Sequence, residues 1–465
     1  MEAYSDQHEL QEIESSSSSS STSRTNSRSS ISGSGSNNST SSSPGESGFD
    51  SNEKKSEEEE NYTEVGFWGN LFNLLNCMLG AGILSIPSTF NDSGIVVSFI
   101  IMIIVAVITH YATVITLTLQ HKTGAKGFDD LAMMILGKFG SWSLSAMIII
   151  FNMGANLAYL ILGVDFITSW FAFADIDVSS SLYRAIITFI YGLILPISLS
   201  IPRSLNFLGY ISTICVFFIF FYIIAIFVKF GIFVHEGNPV GENLLIAKGD
   251  IKLFSSISIY ATAFSLPVCI LPLIWQYTPN LKKRNFSSFL SLTIVFTVTA
   301  LPSVFAYLMF GQNCEGNILK TWPDKDVLMT IVRVGFFLIV TVSFPITHPA
   351  IACSFSAVIF KENHATALVG WRRALVLVLS NGIPLIIGMF LPEMKPALEV
   401  AGALGGCLGN FLLPGIMWFL TSTEKKTHWT NILVILLAIF GVVSAVISTW
   451  IAIESAIDAF KTVSF

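Results

Sequence analysis

The sequence predicts an all-α integral membrane protein of about eleven transmembrane helices, arranged as a 5+5 inverted repeat in which helices one and six are broken. Three observations carry that expectation. The chain is 52% hydrophobic and only 12% charged, with a mean hydropathy of +0.67, whereas soluble domains are about 25% charged. Apolar runs long enough to cross a hydrocarbon core of about 30 Å recur along its whole length. Two of them, five runs apart, are interrupted by glycine or proline at membrane depth.

Residues 1–64 come first, a Ser-rich stretch ending in four consecutive glutamates at 57–60. It cannot bury enough apolar surface to offset its ordering entropy, so a disordered cytosolic tail is expected, open to regulation by phosphorylation. It has no apolar h-region and does not read as a signal peptide.

The first apolar run, 65–90, holds Asn73-Leu-Leu-Asn76-Cys-Met-Leu-Gly80-Ala81-Gly82-Ile83-Leu-Ser85-Ile-Pro87. Hydrocarbon cannot satisfy the two amides. Gly80 and Gly82 lack the side chains that stiffen a helix, and Pro87 lacks a backbone donor. Non-helical backbone survives at that depth only against protein or a wet cavity. The run therefore reads as a broken helix whose freed N–H and C=O groups face a binding site. A glycine face packed on a neighbouring helix is the alternative; it accounts for the glycines but not for the asparagines.

Ten further runs follow at 94–119, 143–168, 184–202, 205–229, 253–275, 288–310, 327–350, 371–391, 398–420 and 430–452, which makes eleven. A tight turn at 202–204 separates spans four and five, and 351–360 continues or caps span eight. Span six carries Pro267 and Pro272, each deleting a helical hydrogen bond. With five spans between the two interrupted helices, repeat one covers about 65–229, repeat two about 253–420, and an extra helix covers 430–453 of a membrane domain at 65–453. An odd five-span repeat inverts its topology.

Loop charges set the expected orientation. Basic residues cluster at every second connection: Lys122, Lys126 and Lys138, then Arg203, then Lys282, Lys283 and Arg284, then Lys361, Arg372 and Arg373, then Lys425 and Lys426. Those connections are expected in the cytosol together with the tail. Asn91-Asp92-Ser93 is a glycosylation sequon on the other side, close against the bilayer. The composition does not choose between a plasma membrane and a vacuolar or lysosomal one.

Several function classes have no support. Basic patches suited to nucleic acid are absent, no HExxH, GxSxG or P-loop motif marks an enzyme, and no charged ring marks a channel. Five cysteines lie in apolar stretches, with Cys314 alone in a loop, so neither a disulfide framework nor metal spacing emerges. No cofactor and no protein partner is indicated.

The motifs resemble those of the amino acid/auxin permease family, which includes sodium-coupled neutral, proton-coupled and vacuolar amino acid transporters. Span one is similar to its N-x-x-N-x-x-x-G-x-G-I-L-x-x-P opening. Tyr307-Leu-Met-Phe310-Gly311 with Asn317-Ile318-Leu319, Arg333 with Ser343-Phe344-Pro345-Ile346, and Ala401-Gly402-Ala403-Leu-Gly405-Gly406 through Pro414 match later segments in order. The resemblance covers roughly 65–453 and implies a LeuT-type fold, an amino acid substrate and ion coupling. In span six Leu266-Pro267 stands where the sodium-coupled neutral branch has a Cys-His pair, which sets the chain apart from that branch's substrate range and ion.

Candidate roles follow. A substrate carboxylate suits N–H groups where a helix restarts, here around Gly80, Ala81, Gly82 and Ile83. The ammonium suits unwound carbonyls around Phe264 and Ser265, and Phe264 either closes the pocket or faces lipid. No intramembrane acid reads as well placed, which favours a neutral amino acid. Asn152, Asn156 and Tyr159 share one helical face of span three, for substrate contact or interhelical hydrogen bonding. Asp165 reads as interfacial, and His110 and His348 as structural or interfacial. Asn76, by its resemblance to the family's sodium-associated Asn, with Thr341 and Ser343, forms a possible Na+ site; H+ is the other coupling ion. The expected function is secondary active transport of amino acids across a lipid bilayer by alternating access. The alternative is an amino acid sensor on the same fold, signalling through the tail.

Overall fold

In a computed structural model, the described residues are 65–178, 180–202, 206–274, 277–361 and 368–461, the side chains of 206–214 excepted. The expected tail at 1–64 and most of the turn at 202–204 lie outside them. Every regular element among the described residues is a helix, with no strand among them.

The first run forms two helices, α1 (Phe67–Met78) and α2 (Gly82–Ser93), bent by 52° at the break. Then follow α3 (Ile95–Thr123), α4 (Phe128–Phe173), α5 (Ser181–Ser200) and α6 (Asn206–His235). The sixth run is again two helices, α7 (Leu253–Ala263) and α8 (Leu266–Ile274). The remainder are α9 (Leu281–Phe310), α10 (Val327–Phe360), α11 (Trp371–Phe390), α12 (Lys395–Thr421) and α13 (Trp429–Lys461). Among the described residues, ten helical stretches are long and apolar enough to span a membrane, α7 with α8 counting as one, and α1 with α2 makes an eleventh if taken as one bent span. That is the expected number, and residues 351–360 do continue span eight.

Several elements run beyond their apolar windows. α4 begins fifteen residues before the expected start of span three at 143, because the chain stays helical on both sides of a kink at Gly137 (φ 69°, ψ −160°).

The bundle has two ends, near, where α1 starts, and far, where α2 finishes. α2 stops at Gly94, whose φ of +85° disfavours side chains; a Cβ there would also lie 2.7 Å from the backbone of Ala247. The Ile95 N–H bonds the Leu245 carbonyl, and the Lys248 N–H bonds that of Ser93. The loop before α7 thereby caps α2.

The core sits where α4 lies against α10, α11 and α12, and where α7 lies against α2, α12 and α13. Close approach depends on glycine in α12. A Cβ on Gly402 would fall 1.9 Å from the Ser258 carbonyl oxygen, and one on Gly405 would fall 2.3 Å from the Phe151 Cβ. The stretch Ala401–Leu412 is wound as a π-helix, a form that recurs at functional sites. The outward surface is apolar. α13 exposes Ile432, Leu436, Ile439, Val446 and Trp450, a stripe suited to lipid rather than water.

Candidate functional site

The site begins with the break in span one. The last helical bond of α1 runs from the Leu79 N–H to Leu75; the first of α2 run from Ile83 to the Gly80 carbonyl and from Leu84 to that of Ala81. The N–H groups of Gly80, Ala81 and Gly82 fall between these ladders, as the donors of a helix start do. Gly80 is where α4 comes closest: a Cβ there would lie 2.7 Å from the Tyr159 hydroxyl. Gly82 abuts Ala263, with a built Cβ 3.5 Å from that of Ala263. Ala81 and Ile83 are buried.

The second break follows from Pro267. It offers no N–H to Ala263, its partner four residues back. Phe264 leaves the helix (φ −107°, ψ 27°), and the Leu266 N–H turns to the Phe264 carbonyl at 2.6 Å. The Ala261 carbonyl receives the Asn410 amide at 3.1 Å, a side chain from the π-wound part of α12. Phe264 is buried beside Phe296 of α9, with ring centroids 6.2 Å apart, and does not face lipid. Ser265 is buried, with Cys269 one turn on.

The two breaks meet at their edges. Cys77, in the last turn of α1, stands beside Cys269 of α8, and both lie within electrostatic reach of Tyr159. These side chains bring the end of α1, α8 and α4 to one place. Ser343 of α10 stands near the Tyr159 hydroxyl on the same side.

Of the remaining candidates, Asn156 is fully buried. Its carbonyl oxygen accepts from the Thr347 hydroxyl at 2.6 Å, joining α4 to α10, and its amide nitrogen has no hydrogen-bond partner among the described residues. Asn152 turns back to its own helix at the Ile148 carbonyl. Asn76 is half-buried. The Thr341 hydroxyl is engaged with that of Tyr191 on α5 at 2.9 Å. The structure thus brings Gly80, Tyr159 and Ser343 together, and Gly82 to the end of α7, whereas Thr341 serves α5. No cluster of three His, Cys, Asp or Glu occurs among the described residues; an ion here would depend on hydroxyls, amides and carbonyls, ligands that suit a hard cation.

Two sequence readings need correction, those of Asp165 and of the intramembrane acids, and the Asn91 sequon, already set close against the bilayer, is further disfavoured. Asp165 is not interfacial but buried, 2.9 Å from the Arg184 guanidinium and 3.3 Å from the Asn317 amide. Asn91 is a poor glycosylation acceptor, because its amide donates to the carbonyls of Gln312 and Cys314 at 3.2 and 3.0 Å. Buried acids do exist within the spans. Asp92 closes α2 and Glu399 opens α12, 8% and 1% exposed. Glu399 already stood inside the run predicted at 398–420. A carboxylate at the edge of an apolar run reads as interfacial until the fold covers it. His348 is buried against Ser380, and His110 stacks edge-on with Phe289, in keeping with structural roles.

A cavity of about 450 Å³ opens at the far end among Asp165, Ser169, Asn317, Lys320 and Arg333. It lies about 9 Å along α4 from Tyr159, at about 1.5 Å per residue.

Comparison with known proteins adds the context. Residues 63–454 match the family described as "Transmembrane amino acid transporter protein". A Xenopus laevis protein named "Putative sodium-coupled neutral amino acid transporter 10" is 24% identical over 399 residues, covering 82% of this chain. The chain spans only 37% of that relative's length.

Proposed function

The chain belongs to the transmembrane amino acid transporter family, a family of multi-pass membrane transporters and not of enzymes, and from that premise we propose that it is an ion-coupled secondary active transporter of neutral amino acids. One observation carries this reading: the two broken spans meet with complementary orphan groups. Free N–H donors stand at Gly80–Gly82, and freed carbonyls stand before Phe264 and Ser265.

An amino acid has the matching pattern. Its carboxylate takes the N–H groups at the start of α2, where the helix dipole favours negative charge. Its ammonium takes the carbonyls of the second break, beside Ser265. Tyr159, against Gly80, bounds the pocket on the α4 side, and the unpaired amide nitrogen of Asn156 offers a further donor. Neither break carries an Asp or Glu on its own helices short of the far end, so nothing there would pair with a cationic side chain. Rocking of α2 and α7 about the breaks would expose the pocket to either end in turn, as in LeuT-type transporters. Asn76 and Ser343 are the oxygen ligands this reading assigns to Na+; H+ is the other candidate. The tail and near end are assigned to the cytosol, in a plasma or vacuolar/lysosomal membrane.

The test is uptake of labelled alanine, leucine and glutamine into proteoliposomes under a sodium gradient, a proton gradient and neither, with Asn76→Ala in parallel. Accumulation above equilibrium under one gradient is expected. Sodium-driven accumulation lost in Asn76→Ala would support the sodium site. Binding without flux under every gradient would overturn transport.

A further inference from the structure

The far end of the bundle holds a charge cluster that the breaks do not use. The Asp92 carboxylate, in the last turn of α2, accepts from the Lys395 ammonium at 3.0 Å on both oxygens. The Ser255 hydroxyl of α7 lies between Asp92, at 3.3 Å, and Glu399 of α12, whose Oε1 it also bonds. Ser256 adds a contact to Asp92 at 3.4 Å. Glu399 is 1% exposed, and its Oε2 has no hydrogen-bond partner among the described residues. Ser455 of α13 is its remaining polar neighbour. A cavity of about 210 Å³ lies among these groups.

We propose that Glu399 is a proton-binding site, reached through this cavity from the far side, whose occupancy governs the movement of α2 against α7 and α12. The coupling half of the proposal rests on the transport reading above; the proton site does not.

The charges argue for it. Two carboxylates share one ammonium, so the buried cluster carries an excess negative charge. An ionised carboxylate with an unpaired oxygen is costly away from water. A proton taken from hydronium in the cavity turns Oε2 into a neutral acid O–H and leaves Asp92 paired with Lys395. Every charged group facing the site has a place in this scheme. α2 brings Asp92, the turn before α7 brings Lys252, and α12 brings Lys395 with Glu393 just ahead of it; α13 brings only Ser455. α4, which also touches the start of α12, contributes none to the cavity. A sodium ion needs several oxygens, and here both Asp92 oxygens and Oε1 of Glu399 are already engaged by Lys395 and Ser255. A proton needs only one.

The place in the fold supplies the coupling. α2 follows the first break and α7 precedes the second, so the cluster ties together the half-helices that substrate binding at the breaks would shift. Separating α2 from α12 takes Asp92 away from Glu399 and breaks its pair with Lys395, which stays on α12 beside Glu399. That changes the acid's affinity for a proton, and by linkage a bound proton changes the ease of separation.

Two measurements test this on the full-length protein in lipid. Infrared difference spectra between neutral and acidic pH should show the carbonyl stretch of a buried protonated carboxylic acid. The band should vanish in Glu399→Gln and persist, shifted, in Glu399→Asp. Uptake of labelled alanine, leucine and glutamine under a proton gradient should accumulate in the native protein and lose its gradient dependence in Glu399→Gln. An unchanged band in Glu399→Gln overturns the proton site, whatever the uptake. An altered band with native pH-driven accumulation, or with accumulation driven by sodium and indifferent to pH, overturns the coupling. If the native protein moves no amino acid, the transport reading fails, while the spectra still decide the site.

Discussion

At the scale of single residues, the contact between Gly80 and Tyr159 is the most exposed to experiment. A methyl group at position 80 would sit 2.7 Å from a phenol oxygen, at the spot where α1 and α2 part. Gly80→Ala should therefore weaken substrate binding. Overpacking that cannot relax costs on the order of 1–3 kcal/mol, which is about 5- to 150-fold in affinity. Tyr159→Phe removes the clashing oxygen, so the double variant should recover much of the uptake that Gly80→Ala loses. Equal loss in both would mean that the glycine is needed for backbone freedom alone. The break at Gly80 was legible in the sequence, because two glycines and two amides in an apolar run have few other uses. That Tyr159 is its neighbour was half legible. Helical spacing put Tyr159 on the face of Asn152 and Asn156, but spacing says nothing about which helix that face meets. Cys77 and Cys269 showed only that they lie in apolar stretches; their nearness depends on two helices bending towards each other, which no local pattern records.

At the scale of elements, the packing of α12 is decided by glycines whose reason lies in other helices. Gly402 faces the Ser258 carbonyl and the Thr262 hydroxyl, Gly405 faces Phe151, and Gly406 faces Ala261. A side chain at 402 meets backbone, which cannot swing aside. Gly402→Ala should lower the melting temperature in detergent, with a cost near the upper end of about 1–3 kcal/mol, and reduce folded yield. Gly382→Ala is the comparison, since its Cβ would find nothing nearer than 3.9 Å, and replacing a helical glycine by alanine gains up to about 1 kcal/mol in propensity. Equal melting temperatures for the two variants would refute the close-packing account. The sequence marked α12 through its glycines but not its π winding. A π-helix keeps the apolar character of an α-helix, and composition does not register one extra residue per turn. The break in span six was legible for a simpler reason: Pro267 removes a donor wherever it stands.

At the scale of the whole molecule, the number of spans and the positions of both breaks followed from hydropathy and helix breakers, since the bilayer imposes a minimum length on every crossing. What local pattern could not supply was the burial of Asp92, Glu399 and Asp165, because burial is a property of neighbours. Orientation is the remaining global property, and it is open to direct measurement. The basic residues of the near end, among them Lys122, Lys126, Lys282, Lys283 and Lys425, lie in short connections, where positive charge resists translocation. At the far end, Lys229 and Lys395 are paired with Asp326 and Asp92, which leaves less free positive charge to hold that end in the cytosol. The near end should therefore be cytosolic. Lys425 and Glu236 are exposed and lie at opposite ends, so Lys425→Cys and Glu236→Cys report on the two faces separately. With the plasma membrane selectively permeabilised, an impermeant maleimide should label Lys425→Cys above the native background. In intact cells Lys425→Cys should stay unlabelled. Glu236→Cys should be labelled in intact cells if the protein resides in the plasma membrane, and only after full detergent lysis if it resides in an internal one. Labelling of Lys425→Cys from outside intact cells would reverse the orientation. It would also turn the cavity at Glu399 towards the cytosol, where a pH difference across the membrane would act on it in the opposite sense.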